Sequence, residues 1–579
     1  MKLVLNETTT DIDALSNECG LSKEMTRYLA LRGYDNREKI DKLIYFKPLN
    51  WRKVETLKDS KEFLETLRNA LASKANICIY GDYDADGIMA TMILYMALER
   101  ISDTKVNWFI NDRFKEGYGM NKKGVIRLLE KFPETNLILT CDNGIKAQEG
   151  IQYALEKGIT VIVSDHHGQS VGEALPNCPV VCEARLDEDQ DLKESFCGAE
   201  LARRLMVQLY KDLGIYRKYT AEAKRWIAYS GLATITDSVP LNPANHYTAK
   251  AGIEMIGKEE DIVWRILREE TKTHRLDQDT IGFQYGPMIN APGRINGNVD
   301  AAMEAFMAGY SGDEEGCRKA VKNMMAINLQ RREDSAEDDQ IAFQEIEEKG
   351  YDKDKFILIA NERFLEGING LTAGHITETF KVPSIVLCPK DQEPDVFKGS
   401  ARSVEGFNIF EALNECKDLL LGFGGHPMAA GLSVHRDNIG ALRERLKEMA
   451  ENHVPEQEEV VKVDFIIQPE NITPKLANEL NTVMPYGQNL EKPTIGFSGK
   501  VTKITVMKDR HLRFDIDNGK GTPVEVLWWN AYERYKKFEG VGSNPLIKCI
   551  GFPSYSVFNG KLKIQFTAEE VYLQKGEIA

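Results

Sequence analysis

The sequence predicts an α/β protein in which a parallel-sheet domain is joined by a long helix to a smaller α/β domain, followed by a small β-barrel. Three observations predict it. From residue 76 short apolar runs alternate with amphipathic helical stretches, the pattern of βαβ units. From Asp313 to Lys349 the chain is charged, free of proline and rich in helix formers. Beyond residue 500 short β-type runs follow one another with few helices between them, as in a closed antiparallel sheet.

The elements follow in order. Residues 1–70 read as a helical region, with apolar positions at Tyr28, Leu29, Leu31, Ile40, Leu43 and Ile44. Residues 71–312 carry strand candidates at Asn76–Tyr80, Val106–Ile110, Asn136–Thr140, Ile159–Val163 and Pro179–Cys182. Leu201, Leu205 and Leu209 keep a helical four-residue spacing over Ala199–Leu213. Residues 313–349 form the connecting helix, with Ala320, Met324, Ile327, Ile341 and Ile346 as its apolar stripe. Residues 350–455 give a second α/β set with strands at Phe356–Ala360, Ser384–Cys388 and Gly431–His435. After an acidic linker at Pro455, residues 456–579 hold strands at Val501–Val506, Leu512–Ile516, Val524–Trp529, Leu546–Ile550 and Lys561–Phe566. Five short strands in so little chain suit an OB-like barrel.

Composition narrows the class. The 579 residues are 42% hydrophobic and 28% charged, with a formal net charge of −15, the profile of a globular multidomain protein. The acidic total argues against indiscriminate coating of nucleic acid, though not against a local basic groove or a cation-binding acidic cluster. The ten cysteines include no CxxC pair, so reduced thiols in a cytoplasmic protein are expected. The segment MKLVLNETTTDID lacks the basic start and apolar core of a secretion signal. No apolar run approaches the roughly 18 residues of a membrane span.

The strongest chemical signal is Gly81-Asp82-Tyr83-Asp84-Ala85-Asp86-Gly87, between a strand and a helix. In extended chain, carboxylates at i, i+2 and i+4 point one way, beyond the strand end where open α/β sheets place ligands. Mutual repulsion raises their pKa values, and divalent cations relieve it. An EF-hand is excluded: Gly87 falls at position 6 counted from Asp82, but position 12 is Ile93. Two further strands end alike, in Asp142-Asn143-Gly144 and in Asp165-His166-His167. A lone Asp after a strand is ordinarily a helix N-cap and a lone His a structural residue. Three successive junctions that place metal-ligand side chains on one rim instead favour Mn²⁺ or Mg²⁺ held by mixed carboxylate and imidazole groups. Asp237, in Thr234-Ile-Thr-Asp-Ser-Val-Pro240, is a fourth acid after an apolar stretch.

DYDADG, CDNGI, SDHH and TITDSVP, in that order, resemble the four phosphoesterase motifs of the DHH superfamily, and the Asp-x-Asp-x-Asp-Gly form of the first resembles its RecJ branch. Gly286–Arg294 is similar to a RecJ segment between the catalytic halves. Gly399-Ser-Ala-Arg-Ser403 and Gly424–Gly431 resemble the paired motifs of the DHHA1 domain, and Met484–Asn489 the entry to an OB domain. The likeness spans roughly residues 20 to 570. The chain departs from the family at Leu365–Gly374, where a His-x-Gly-Val pattern is usual, and at Pro292.

The resemblance implies a DHH catalytic domain, a DHHA1 domain and an OB domain. It implies two Mn²⁺ ions, replaceable by Mg²⁺, held by Asp82, Asp84, Asp86, Asp142, His166 and Asp237, with Asp142 bridging. His167 is expected to contact the phosphate or the nucleophile, and Asp165 to orient a histidine. Ser400, Arg402 and, by family analogy, Arg294 are expected at a terminal phosphate, with amides of the glycine-rich stretch and His426 beside it. In the barrel, Lys500, Lys503, Lys508, Arg510 and Arg513 interleave with Phe514, Trp528 and Trp529, the mixture non-specific single-strand binding needs. Trp528 is taken as the stacking residue, although one of the two adjacent tryptophans belongs to the core. The implied activity is 5′→3′ exonucleolytic release of 5′-mononucleotides from single-stranded DNA, in repair and recombination. Alternatives are a phosphodiesterase of short oligonucleotides or cyclic dinucleotides, and a non-catalytic scaffold. A helicase and a single-strand-binding protein are candidate partners, and a monomer is the default.

Overall fold

The protein was analysed as a computed structural model that describes residues 2–45, 57, 59–168, 174–182, 196–390, 393–453, 460–508, 510–521, 523–532, 545–558 and 561–574. The acidic linker after Pro455 lies outside the described residues. The chain forms two compact units, one of residues 1–54, 238–250 and 457–579, the other of residues 55–237 and 251–456.

The larger unit is built on the apolar runs that begin at residue 76. Strands pair in the order Asn107–Ile110, Ile77–Gly81, Leu137–Cys141, Thr160–Ser164 and Val180–Val181, all parallel. Ile77–Gly81 and Leu137–Cys141 are buried along their whole length, which is why they read as continuous hydrophobic runs rather than alternating ones. Helix Ala85–Glu99 is buried on nearly every side, between the sheet and helices Gly198–Asp212 and Thr220–Thr236. The register puts Gly81, Cys141 and Ser164 at one edge of the sheet, so the residues after them share a rim.

The charged stretch forms one helix, Glu314–Lys349, 36 residues long. The Asp313 carboxylate accepts from the Gly316 amide at its start, and Gly350 closes it at φ 71°. The second sheet runs Leu420–His426, Ala429–His435, Glu393–Arg402, Ser384–Lys390 and Ile357–Ala360. Only the last two strands are parallel. Leu420–His426 and Glu393–Arg402 are strands the sequence did not announce, because glycine and polar residues blur their alternation. The glycine-rich GFGGHPMAAG segment is therefore a β-hairpin at a sheet edge, with Gly431 opposite Ser400.

In the other unit the five late strands close into a barrel. Ile495–Met507 pairs with His511–Ile516 on one side and with Leu546–Phe558 on the other, and Val524–Trp528 and Lys561–Gln574 complete the ring. Helices Ile12–Cys19, Lys23–Leu31 and Arg37–Ile44 belong to the same unit. The purely helical reading of the first residues missed a strand, Lys2–Leu5, that runs parallel to Val460–Val463. A four-residue strand supported only by a distant partner leaves little local signal. None of the ten cysteines forms a disulfide. Among the described residues no helix is long and apolar enough to cross a membrane.

Candidate active site

Three chain reversals deliver the carboxylates. After Gly81 the chain turns, Asp82 follows the strand, and Asp84 caps helix Ala85–Glu99 by accepting from the Gly87 amide at 3.0 Å. Asp86 stands in the first helical turn. The extended alternation expected for the three acids is thus replaced by a turn and a helix start, which send Asp86 away from its two neighbours. The turn needs Gly87, where a Cβ would stand 2.6 Å from the Asp82 carbonyl oxygen. Asp142 is not an N-cap, since the next helix begins at Gln148 with Ala147 before it. It holds φ 61°, a left-handed conformation uncommon outside glycine, though one that Asp adopts more readily than most residues. Asp237 is the C-cap of helix Thr220–Thr236 rather than a residue at a strand end.

These residues converge in three overlapping groups whose ligand atoms lie within 4.8 Å of one another: Asp82, Asp84 and Asp142; Asp142, His166 and His167; Asp86, His166 and Asp237. Asp142 and His166 each belong to two groups. The His166 Nε2 atom lies 3.0 Å from Asp142 Oδ1, 3.5 Å from Asp86 Oδ2 and 3.7 Å from Asp237 Oδ2. Burial and then mutual repulsion hold the Asp82 and Asp142 carboxyls well above the usual range, and lift Asp237 to about 8. Burial keeps His166 low, hence neutral and able to ligate. The Asp142 Oδ1 atom is buried without a hydrogen bond among the described residues. A crowded, desolvated carboxylate set beside a neutral imidazole, with an orphaned oxygen at its centre, fits divalent cations.

Asp165 belongs to none of the three groups. It accepts from the Ile145 amide at 2.9 Å, the His167 amide at 3.0 Å and His167 Nδ1 at 2.8 Å. Burial would depress His167, but the Asp165 hydrogen bond and charge prevail and raise it to about 9. Its ring lies 3.3 Å from the Tyr118 hydroxyl.

A second cluster, of opposite sign, stands next to the first. Burial, then the guanidiniums of Arg113, Arg331 and Arg402, press Arg294 down to about 10, while Asp84 pulls the other way. Among the described residues none of these four arginines forms an ion pair. The Ser400 hydroxyl and Arg402 face the start of helix Asn369–Phe380, where Gly370 leaves room: a Cβ there would stand 2.8 Å from Arg402 Nη2 and 3.4 Å from Ser400 Oγ. The first turns of this helix fall in Leu365–Gly374, the segment that departs from the family pattern. A cavity of about 340 Å³ opens beside it, lined in part by Arg113, Asn369, Lys398, Ser400 and Phe423. His426 is exposed, with its pKa lowered by partial burial and by Lys146 and His167.

Trp528, expected to stack on a base, is 4% exposed and packs against Phe514, whereas Trp529 is 50% exposed beside His511. Strand alternation turns the first inward, so the ring open to solvent is Trp529 and not the expected Trp528. Sequence reasoning also missed Arg113, Tyr118 and Asn290, whose side-chain oxygen accepts from the Ala85 amide at 2.7 Å. Each is a single polar or aromatic residue on a loop or helix and leaves no spacing signal.

Residues 76–231 match the DHH family N-terminal domain, 355–452 the DHHA1 domain and 463–570 the RecJ OB domain. The single-stranded-DNA-specific exonuclease RecJ of Dickeya dadantii is 30% identical, over 80% of this chain and 84% of its own. The chain belongs to the RecJ family. The RecJ exonuclease of Bacillus subtilis is 29% identical over 98% of this chain and 70% of its own length. Among solved structures, RecJ from Thermus thermophilus in complex with Mn²⁺ shares the fold at a TM-score of 0.81, with 24% identity, over 99% of this chain and 80% of that one. An exonuclease RecJ bound to manganese matches at a TM-score of 0.58 with 28% identity, over 68% of this chain and 95% of that one.

Proposed function

We propose that this RecJ-family chain is a single-stranded-DNA-specific 5′→3′ exonuclease that releases 5′-mononucleotides by two-metal-ion phosphodiester hydrolysis, acting in DNA repair and recombination. One observation carries the reading: a largely buried carboxylate–imidazole cluster adjoins a half-buried cluster of guanidiniums that form no ion pair among the described residues, so cations and a phosphate can be held side by side. Asp82, Asp84 and Asp142 would hold one Mn²⁺ and Asp86, Asp142, His166 and Asp237 the other, with Mg²⁺ as a substitute. When bound, such ions lower the pKa of a shared water and neutralise charge on the reacting phosphate.

The chain's own groups do the rest. Asp165 fixes the His167 ring and its proton through Nδ1, so that Nε2 donates toward the phosphate or the nucleophile. Arg402 and Arg294, with Arg113, grip a terminal 5′ phosphate with the bidentate geometry of guanidinium, and Ser400 adds a hydroxyl. A clamp at fixed distance from the carboxylates sets both the polarity and the one-nucleotide step. His426 borders this clamp, and Trp529 offers a stacking face on the barrel.

The same proposal includes cytoplasmic location, a monomer, supply of substrate by a helicase and a single-strand-binding protein, and division at residues 70, 312, 349 and 455. The test is Mn²⁺-dependent digestion of strands labelled at either end, with a duplex control. Immediate mononucleotide release from the 5′ label of single strands is the expected result. Release from the 3′ end, or equal attack on duplex, would refute it.

A further inference from the structure

Helix Gly286–Ile295 carries a motif that the proposed function uses only at Arg294. Its residues 286, 290 and 294 keep a four-residue spacing and so lie along one stripe. Each meets the site at a different point. A Cβ on Gly286 would stand 2.5 Å from Thr236, the residue before Asp237. Asn290 Oδ1 accepts from the Ala85 amide at 2.7 Å. Arg294 stands in the guanidinium cluster, and just before it a Cβ on Gly293 would lie 3.1 Å from the Tyr83 carbonyl oxygen. The stripe is about 12 Å long at the helical rise, and all of it belongs to the larger unit.

The Ala85 amide is the first of helix Ala85–Glu99, so no carbonyl within the helix can answer it. Ala85 is buried, and an amide left unanswered there is costly. Asp84 is already engaged: its carboxylate accepts from Gly87 at 3.0 Å and its carbonyl from Ile88 at 2.9 Å. That leaves Asp82 within the turn, at the i to i+3 spacing at which a side-chain carboxylate caps a backbone amide. A carboxylate turned back onto its own chain is lost to a cation. Asn290 removes this competition by answering the amide with a neutral oxygen from another helix. Asp86 needs no such help, because the Gly198 and Ala199 amides hold its two oxygens at 2.6 and 2.8 Å.

We propose that Asn290 is a positioning residue for the cation held by Asp82, Asp84 and Asp142: by capping Ala85 it keeps the Asp82 carboxylate turned to the cation rather than to its own backbone. This rests on the metal-dependent reading above. The role separates the two cations. One depends on Asn290, and the other, at Asp86, His166 and Asp237, depends on the start of helix Gly198–Asp212. Because Arg294 follows Asn290 by one helical turn, about 6 Å, a single rigid element sets both the capped turn and the guanidinium cluster.

The experiment titrates the full-length protein with Mn²⁺, following the free ion by electron paramagnetic resonance, for wild type, Asn290→Ala and Asn290→Asp. Wild type takes up two ions. Asn290→Ala weakens one of them by about tenfold, the effect of losing a group that orients ligands, and leaves the other within about twofold. Asn290→Asp keeps the acceptor oxygen and brings the weakened ion back to wild-type affinity or above. Asn290→Ser, whose hydroxyl is one atom short of the amide, should behave as Asn290→Ala and stands in for it if that protein does not fold. Hydrogen exchange read by mass spectrometry tests the same contact without metal: residues 82–87 exchange about tenfold faster in Asn290→Ala and at the wild-type rate in Asn290→Asp. Unchanged affinity for both ions in Asn290→Ala, an equal loss at both, or no recovery in Asn290→Asp overturns the proposal. If wild type takes up no Mn²⁺, the metal-dependent reading fails, and unaltered exchange over residues 82–87 in Asn290→Ala then overturns the cap separately.

Discussion

Gly198→Ala puts the smallest possible side chain at the most crowded point of the site. Gly198 opens helix Gly198–Asp212, and its amide and that of Ala199 donate to the two oxygens of Asp86 at 2.6 and 2.8 Å. The start of one helix is thus capped by a carboxylate from another, which fixes Asp86 with both oxygens oriented. A Cβ on Gly198 would lie 2.7 Å from Asp142 Cβ and 2.9 Å from Asp142 Oδ1, where ordinary contact begins at 3.4 Å. Either Asp142 retreats by about 0.7 Å, from a strained left-handed backbone with no slack, or the helix start retreats and loosens two charge-assisted hydrogen bonds. Both routes displace a presumed ligand. The expected loss in Mn²⁺ affinity is about 10- to 100-fold, the usual effect of disturbing groups that orient ligands. Free Mn²⁺ followed by electron paramagnetic resonance during titration reads the affinity directly, and circular dichroism checks folding. Gly374→Ala, where a Cβ meets nothing within 4 Å, is the control. A folded Gly198→Ala protein that binds Mn²⁺ within about twofold of wild type would show that this approach does not position the ligands.

Two other outcomes are expected. Arg402→Ala should weaken binding of 5′-phosphorylated single strands by roughly tenfold or more and unphosphorylated ones much less, measured by fluorescence anisotropy; equal losses would remove the end-sensing role. Glu200 is fully buried, and although burial raises its pKa, Arg203, Arg204 and Ser230 bring it to about 2, below its ordinary 4.5. A depressed carboxyl contributes stability that is complete above pH 4.5 and is lost as pH falls toward 2, about 3 kcal/mol in all. In urea unfolding, the gap between wild type and Glu200→Gln should accordingly be wide at pH 7 and shrink below pH 4.5; a gap independent of pH would contradict the assignment.

The parts of the site legible in the sequence are those where local chemistry repeats. Three βα junctions each end in Asp or His, and a parallel sheet forces such ends onto one rim, so Asp82, Asp142 and His166 could be placed from spacing alone. The directions of individual side chains were not legible. Asp86 depends on where the helix begins, which is decided by Asp84 capping Gly87. The choice between Trp528 and Trp529 depends on strand phase, and adjacent aromatic residues leave that phase open. Arg113 and Asn290 reach the site only because the tertiary fold returns their loop and helix to the rim. No periodicity encodes that return, and one arginine among 74 basic residues carries no mark.

The two charged clusters explain each other. Desolvation and repulsion raise the carboxyls of Asp82, Asp86, Asp142 and Asp237, while burial and repulsion lower Arg294, Arg331 and Arg402. A fold selected for stability alone would interleave the two sets into ion pairs, since opposite charges that close would relieve both. Instead they stay segregated, with the field of Asp84 on Arg294 as a link between them. Segregation costs stability and, on the proposed function, would be relieved by cations in one cluster and a phosphate in the other. The phosphodiester chain brings the phosphate and reaches both clusters at once, so metal and strand should bind with positive coupling.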